Sequence, residues 1–180
     1  MPGVVLLEPE QPGNVGTIGR TCVCAAASLH LIEPLGFHMT DRHIKRAGLD
    51  YWPRLDVHRY INYEEFLDLR FPSGKMRRAD TPDEEEPALW FVTTKAEQTY
   101  SDVCFCASDY LMFGKESAGI PEEILAAHPD RCIRIPMAAD ERSLNLSNSV
   151  SIVLYELLRQ TGFAGLKKEG ALHRLSYIRR

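Results

Sequence analysis

Residues 4–34 impose the tightest constraint on what this chain can fold into. They read "VVLLEP", then "NVGTIGRTCVCAAAS", then "LHLIEP": two short apolar runs, each closed by proline, with a helix-length segment between them. A link of that length carries the chain back to its starting end, so the second strand runs parallel to the first, and the unit is a βαβ crossover. Asn14 opens the middle segment and is its predicted N-cap.

The same alternation continues. "VHRYI" reads as a strand, and "NYEEFLDLR" as a helix opened by Asn62, with Glu65 three residues on as a capping-box partner. "ALWFVTTK" and "DYLMFG" are further strands, and "IPEEILAAH" is a helix with Pro121 near N1 and Glu122 and Glu123 in its first turn. "RCIRIP" is the last strand, and "SNSVSIVLYELLRQ" the last long helix, capped by Ser147 or Asn148. Between them these elements predict one α/β domain over residues 1–180, a mostly parallel sheet with helices on both faces. Residues 71–87, with three prolines, a basic trio and then a run of carboxylates, read as a surface insertion, and residues 164–180 as a basic tail. "TDRHIKRAG" predicts a short helix with Arg42, Lys45 and Arg46 on one face, either a solvated face or an RNA-facing patch.

Bulk properties exclude several classes. Hydrophobic residues make up 44% and charged residues 26%, the balance of a folded globular domain. No apolar run approaches the length of a membrane span, and the acidic, proline-rich start does not resemble a presequence, so a cytoplasmic protein is expected. The five cysteines form two C-x-C pairs and one single residue, which indicates buried free thiols rather than disulfides or a zinc knuckle. The six histidines are scattered, and no metal site is expected. A formal charge of −4 argues against indiscriminate attraction to nucleic acid, though local basic patches could still bind it.

Three stretches fall at predicted strand ends, where open parallel sheets bind ligands. "NVGTIGR" holds Asn14 and the lone cation Arg20; its glycines are spaced by three and do not make a dinucleotide fingerprint. "MFGKESAGIP" brackets Glu116 between Gly114 and Gly119, and Ser117, with Gly119 after it but Lys115 before it, does not make a hydrolase elbow. "SLNLSNSV" spends five of eight positions on Ser and Asn with no charge. A helix cap needs one such residue, which leaves Ser143 and Asn145 without a capping role and points to a neutral ligand-reading loop.

Together and in this order, "PGNVGTIGRT", "LMFGKESAGIP" and "IRIPMAADERSLNLSNSVSIVLYELLRQ" resemble the three motifs of the SPOUT superfamily, specifically the SpoU/TrmH-type RNA ribose 2′-O-methyltransferases. The flanking "IEPLGF" and "RAGLDYW" bring the chain closest to the TrmL subgroup, which methylates the wobble nucleotide, position 34, of tRNA. The resemblance covers residues 4–160 and implies a deep trefoil knot in the C-terminal third, an exception to the usual unknotted topology.

It also implies S-adenosylmethionine as cofactor, held near Val92, Thr93, Gly114, Glu116, Gly119, Ile135, Ser143, Leu144 and Asn148. Small neutral residues suit a ligand whose sulfonium is already positive, because Lys or Arg there would repel it. The catalytic set it implies is Arg20, Asn14, Glu116, Ser143 and Asn145, with Arg20 of one subunit of a homodimer acting at the cofactor of the other. Arg20, Arg42, Lys45, Arg46, Lys167 and Lys168 would meet the anticodon loop of tRNA, a splayed single strand that proteins can read base by base. Methylation of another tRNA position or of rRNA, and a non-catalytic RNA-binding module on the same fold, are the alternatives.

Overall fold

The structure, a computed structural model, describes residues 1–38, 50–77 and 86–174. The predicted basic helix with Arg42, Lys45 and Arg46, and the end of the tail with Arg179 and Arg180, lie outside the described residues.

Strand β1 (Gly3–Leu7) leads through helix α1 (Pro12–Ala25) to β2 (Ser28–Ile32), the crossover expected from the sequence. A 3-10 turn at Trp52–Arg54 precedes β3 (Val57–Tyr60) and helix α2 (Tyr63–Arg70). The remainder runs β4 (Leu89–Val92), the two-residue β5 (Gln98–Thr99), β6 (Tyr110–Phe113), α3 (Glu122–Ala127), β7 (Cys132–Arg134) and α4 (Leu146–Gln160). Among the described residues the strands form one sheet in the order β3-β2-β1-β6-β4-β7-β5, with every pair parallel. β6 therefore lies between β1 and β4, although both precede it in the chain.

Side chains alternate across the sheet, as a strand covered on both faces requires. Val4 and Leu6 of β1, Leu29 and Leu31 of β2, Trp90 of β4, and Leu111 and Phe113 of β6 pack with Val15, Ile18 and Cys22 of α1 and with Val150, Val153, Leu154 and Leu157 of α4. Val5, Leu7, Leu89, Phe91 and Met112 face the other way, onto Phe66 of α2 and Leu125 of α3.

His30 also lies inside, and it is satisfied rather than free. Its Nε2 is 2.8 Å from Ser28 Oγ, and its Nδ1 is 2.7 Å from the Tyr60 hydroxyl, which in turn accepts from Arg70 Nε at 2.5 Å. Burial, with Arg70 and His58 nearby, pushes its pKa down to about 3, so the ring stays neutral.

Several local readings are corrected. α1 begins at Pro12, not Asn14, because proline is favoured at the first helical position, where a missing N–H costs nothing. α4 is capped by Asn145, whose side chain accepts from Ser147 N at 2.9 Å, and not by Ser147 or Asn148. Pro121 is the cap residue of α3 rather than N1. Asn62 caps α2 as expected, accepting from Glu65 N at 2.8 Å, while the Glu65 carboxylate reaches back one residue further than a capping box does and accepts from Ile61 N.

The insertion is not all surface, because Phe71 and Arg77 are interior. Arg77 pairs with the buried Asp109 at 2.5 Å, and Asp109 also accepts from Ala88 N, Trp90 Nε1 and Cys106 N. A charge with four donors around it is compensated well enough to stay buried, and here it anchors the loop to the sheet. Of the thiols expected to be buried, only Cys22 and Cys132 are; Cys24 and Cys104 are exposed. No described helix is long and apolar enough to cross a membrane, and no described residues form a metal-holding group.

Candidate active site

The order of strands reverses around β1, β6 and β4, and ligands of such sheets bind beyond the carboxyl ends of the strands at that reversal. A pocket of about 540 Å³ lies there. Its walls are the residues that follow β4 (Val92 to Lys95), the loop after β6 (Gly114 to Ile120), and the segment from Ile135 through Arg142 to Leu146, with Asn14 and Gln11 from the start of α1. The volume suits a nucleoside-sized ligand.

The loop after β6 is held in shape by two glycines. Gly119 has φ +73° and donates its N–H to Lys115 O at 2.8 Å, closing a tight turn. A Cβ on Gly114 would stand 2.0 Å from Gly119 C and 2.2 Å from Ile120 N, so no larger residue fits.

Within this frame the three motif stretches meet. Asn145 Nδ2 donates to Asn14 Oδ1 at 3.1 Å, and Asn14 Nδ2 donates to Glu116 Oε1 at 2.8 Å. Glu116 Oε2 accepts the backbone N–H of Glu10 at 2.9 Å. Asn145 Oδ1 takes both Ser147 N and Ser147 Oγ, at 2.9 and 2.6 Å, so this one side chain caps α4 and joins the chain of amides. Asn14 was expected as a cap and Asn145 as free of that duty; the roles are the reverse.

Of the cofactor positions expected from sequence, Val92, Thr93, Gly114, Glu116, Gly119, Ile135, Ser143 and Leu144 all line the pocket. Asn148 does not; it is exposed on the first turn of α4, where Ser149 takes the wall position. Asn14, Glu116, Ser143 and Asn145 are pocket residues, whereas Arg20 is not. Arg20 extends from the outer face of α1, 3.6 Å from Asp50 and over the Tyr51 ring at 4.9 Å. Lys167 and Lys168 are exposed beyond α4.

The pocket is less neutral than its motif suggested, since Lys95, Lys115 and Arg142 also line it. Two of these are compensated: Lys115 Nζ is 2.8 Å from Glu8 Oε2, a bond that raises the Lys115 pKa, and Lys95 Nζ is 2.7 Å from Glu122 Oε1, which lowers that of Glu122. The reading of the motifs also missed Glu10. Its carboxylate accepts from Ser117 N at 2.9 Å and Ser117 Oγ at 2.8 Å, bonds that lower its pKa. The only hint was two glutamates, Glu8 and Glu10, directly after a buried strand.

The donor set fits a nucleoside. Val92, Phe113, Ile135 and Leu144 offer apolar contact, Thr93, Ser143 and Asn145 offer neutral polar groups, and Glu116 is the one carboxylate on the wall among the described residues.

A parallel sheet with a glycine-bounded pocket at its point of reversal, crossed by a relay of amides and one carboxylate, makes this an α/β protein with a nucleoside-sized ligand site. The chain belongs to the SpoU rRNA Methylase family, which it matches over residues 1–155. It is 47% identical over 167 residues to the tRNA (cytidine(34)-2′-O)-methyltransferase of Yersinia pestis, covering 92% of this chain and 97% of that one. A solved structure concerned with 2-OH methylation of C/U34 on tRNA is 38% identical and superposes with a TM-score of 0.77 over 90% of this chain and 97% of that one. The SpoU methyltransferase AviRb from Streptomyces viridochromogenes, crystallised with AdoMet, is 27% identical, with a TM-score of 0.72 over 88% of this chain and 57% of its own.

Proposed function

We propose that this protein transfers a methyl group from S-adenosylmethionine to the ribose 2′-hydroxyl of the wobble nucleotide of tRNA, and that it does so as a homodimer. The observation that carries the reading is the meeting of Asn14, Glu116 and Asn145, from three separate stretches, in one hydrogen-bonded chain on the pocket wall. The choice of substrate rests on likeness to relatives named for cytidine 34 of tRNA.

S-adenosylmethionine, when bound, supplies a methyl group on a positive sulfur as electrophile. The loop from Gly114 to Gly119 and the segment from Ile135 to Leu144 would hold it, with main-chain groups and neutral side chains as its contacts. The remaining task is to place a weak nucleophile in line and relieve it of its proton as the new C–O bond forms. Arg20 is assigned to the ribose hydroxyl. A guanidinium stays protonated, so its contribution is to orient the hydroxyl and stabilise negative charge growing on the oxygen. Because Arg20 stands outside the pocket of its own subunit, the reading places it at the pocket of a second copy. Thr21 and Ser151, 3.4 Å apart, bring α1 alongside α4, and Ile152 and Tyr155 of α4 remain exposed, an apolar face suited to that copy. The insertion of β6 between β1 and β4 supports a knotted C-terminal third, tied at the loops that hold the cofactor.

The test is transfer of a labelled methyl from S-adenosylmethionine to tRNA lacking ribose methylation, followed by nuclease mapping. Label on the 2′-oxygen of nucleotide 34 is the expected result. Label at another position, or on rRNA only, overturns the substrate. Binding of cofactor and tRNA with no transfer makes the protein a non-catalytic RNA-binding module.

A further inference from the structure

We infer that Glu10 is a positioning residue for methyl transfer: it clamps the cofactor loop at Ser117 and, through that loop, fixes the direction in which Glu116 points. The inference rests on the role given to Glu116 above.

The geometry is reciprocal. The Glu10 carboxylate accepts two bonds from Ser117, one from its N–H and one from its hydroxyl, at 2.9 and 2.8 Å. The neighbouring Glu116 carboxylate returns the grip, accepting the Glu10 N–H at 2.9 Å and the Asn14 amide at 2.8 Å. Two glutamates more than a hundred positions apart thus lock one seam, Glu116 holding the backbone of Glu10 and Glu10 holding Ser117, the residue after Glu116. An ion pair between Glu8 and Lys115 closes the same seam one step further along. The far side of Glu10 is fixed as well: Gly36 N donates to Pro9 O at 3.0 Å, and a Cβ on Gly36 would lie 2.8 Å from Glu10 Cα. The turn after β1 therefore has one rigid position, and the cofactor loop is hung from it.

Glu10 itself is no part of the pocket wall, whereas Glu116 and Ser117 are. Its effect must pass through them. A carboxylate with two lone-pair regions on each oxygen suits a site that presents an N–H and an O–H together. Glutamine at this position keeps one oxygen for the Ser117 N–H and can donate its NH2 to the Ser117 hydroxyl, which accepts as well as donates, but it gives up the charge that strengthens both bonds. Ser117 accordingly has a use unrelated to nucleophilic attack: its hydroxyl is the second handle on the loop.

The experiment compares Glu10→Ala, Glu10→Gln, Ser117→Ala and Glu116→Ala with the full-length protein, and adds the double variant Glu10→Ala with Glu116→Ala. The readouts are kcat for tRNA methylation, the S-adenosylmethionine Kd by calorimetry, and the tRNA Kd. Expected are a fall in kcat of roughly tenfold or more for Glu10→Ala, a smaller fall for Ser117→Ala because the N–H bond survives, and a tRNA Kd changed less than about twofold. Glu10→Gln is expected to lose less than the alanine variant, because its amide can still engage both Ser117 groups. In the Glu116→Ala background, removing Glu10 should change kcat by less than about twofold, since a residue that acts only through Glu116 has nothing left to position. Retention of wild-type kcat in Glu10→Ala, or losses that multiply in the double variant, would overturn the inference and leave the role of Glu116 standing. Wild-type kcat in Glu116→Ala would overturn the role of Glu116, and the inference with it.

Discussion

Arg20 and His30 show how differently one fold can use two basic side chains. Arg20 is well exposed and lines no wall of the pocket, so its replacement by alanine should leave S-adenosylmethionine affinity within about twofold while kcat falls by roughly a hundredfold or more. Single-turnover assays beside calorimetry separate the two, and activity surviving within a few fold would remove Arg20 from the mechanism. His30 is held neutral, with its pKa pushed down to about 3, whereas in an unfolded chain it would titrate near ~6.5. Above the unfolded value neither state takes a proton; below it only the unfolded chain does, so stability is lost as pH falls from about 6.5 toward 3. The slope approaches ~1.4 kcal/mol per pH unit for one proton. His128, lowered by burial beside Arg131, adds to the loss in the same window. Urea titrations between pH 6.5 and 5 should therefore show a shallower slope, not a flat one, in His30→Gln; an unchanged slope would mean that His30 is not the group responsible.

The cap residue of helix α4, Asn145, carries two functions. Asn145→Asp keeps an oxygen for Ser147 N and loses the NH2 that reaches Asn14, so thermal stability should stay near wild type while kcat drops roughly tenfold. Asn145→Ala loses the cap as well and should cost about 1 kcal/mol in addition. Full activity in Asn145→Asp would show that the amide link between the helices is not needed. The same residue explains what could be read in advance. Strand and helix order, the crossover and the pocket loops were legible because alternation, closing prolines and paired glycines are local signals. The ends of α1 and α4 are set locally, by Pro12 and by the bond of Asn145 to Ser147 N, and were misassigned by two or three positions; what lay out of reach was the pocket relay, in which Asn14 meets Glu116 across 102 positions and Asn145 meets Asn14 across 131. Local capping rules had no access to either bond. The bond between Glu10 and Ser117 escaped notice for the same reason, since it joins residues 107 positions apart. Arg77 escaped because a basic trio in a loop ordinarily signals a wet surface, and only the fold reveals Asp109 waiting beneath it.

At the scale of the whole molecule, the distance between Arg20 and its own pocket becomes a prediction about assembly. Arg20→Ala and Gly114→Ala, each inactive alone, should regain up to roughly a quarter of wild-type activity when mixed and allowed to exchange subunits, because half the dimers then hold one intact composite site. No recovery after proven exchange would argue against a site shared between copies. RNA affinity should fall with salt, with a slope near ~0.7 for each phosphate neutralised on single-stranded RNA. Replacing Lys167 and Lys168 with glutamine should reduce that slope by about one to two contacts if the exposed stretch beyond α4 meets tRNA; an unchanged slope would free it of that role.

The position of β6 has a consequence for how the chain comes into being. Until residues 110–113 are made, β1 and β4 have no strand between them, and each presents a bare edge with apolar side chains on both sides. A nascent or truncated chain that stops short of Phe113 thus has one three-stranded half-sheet, β3-β2-β1, and a β4 that lacks both its partners, β6 and β7, and exposed edges of that kind recruit other chains. Any cell making this protein must carry it past that gap, and a stop codon just ahead of β6 would yield aggregates or protease substrates rather than a smaller folded domain.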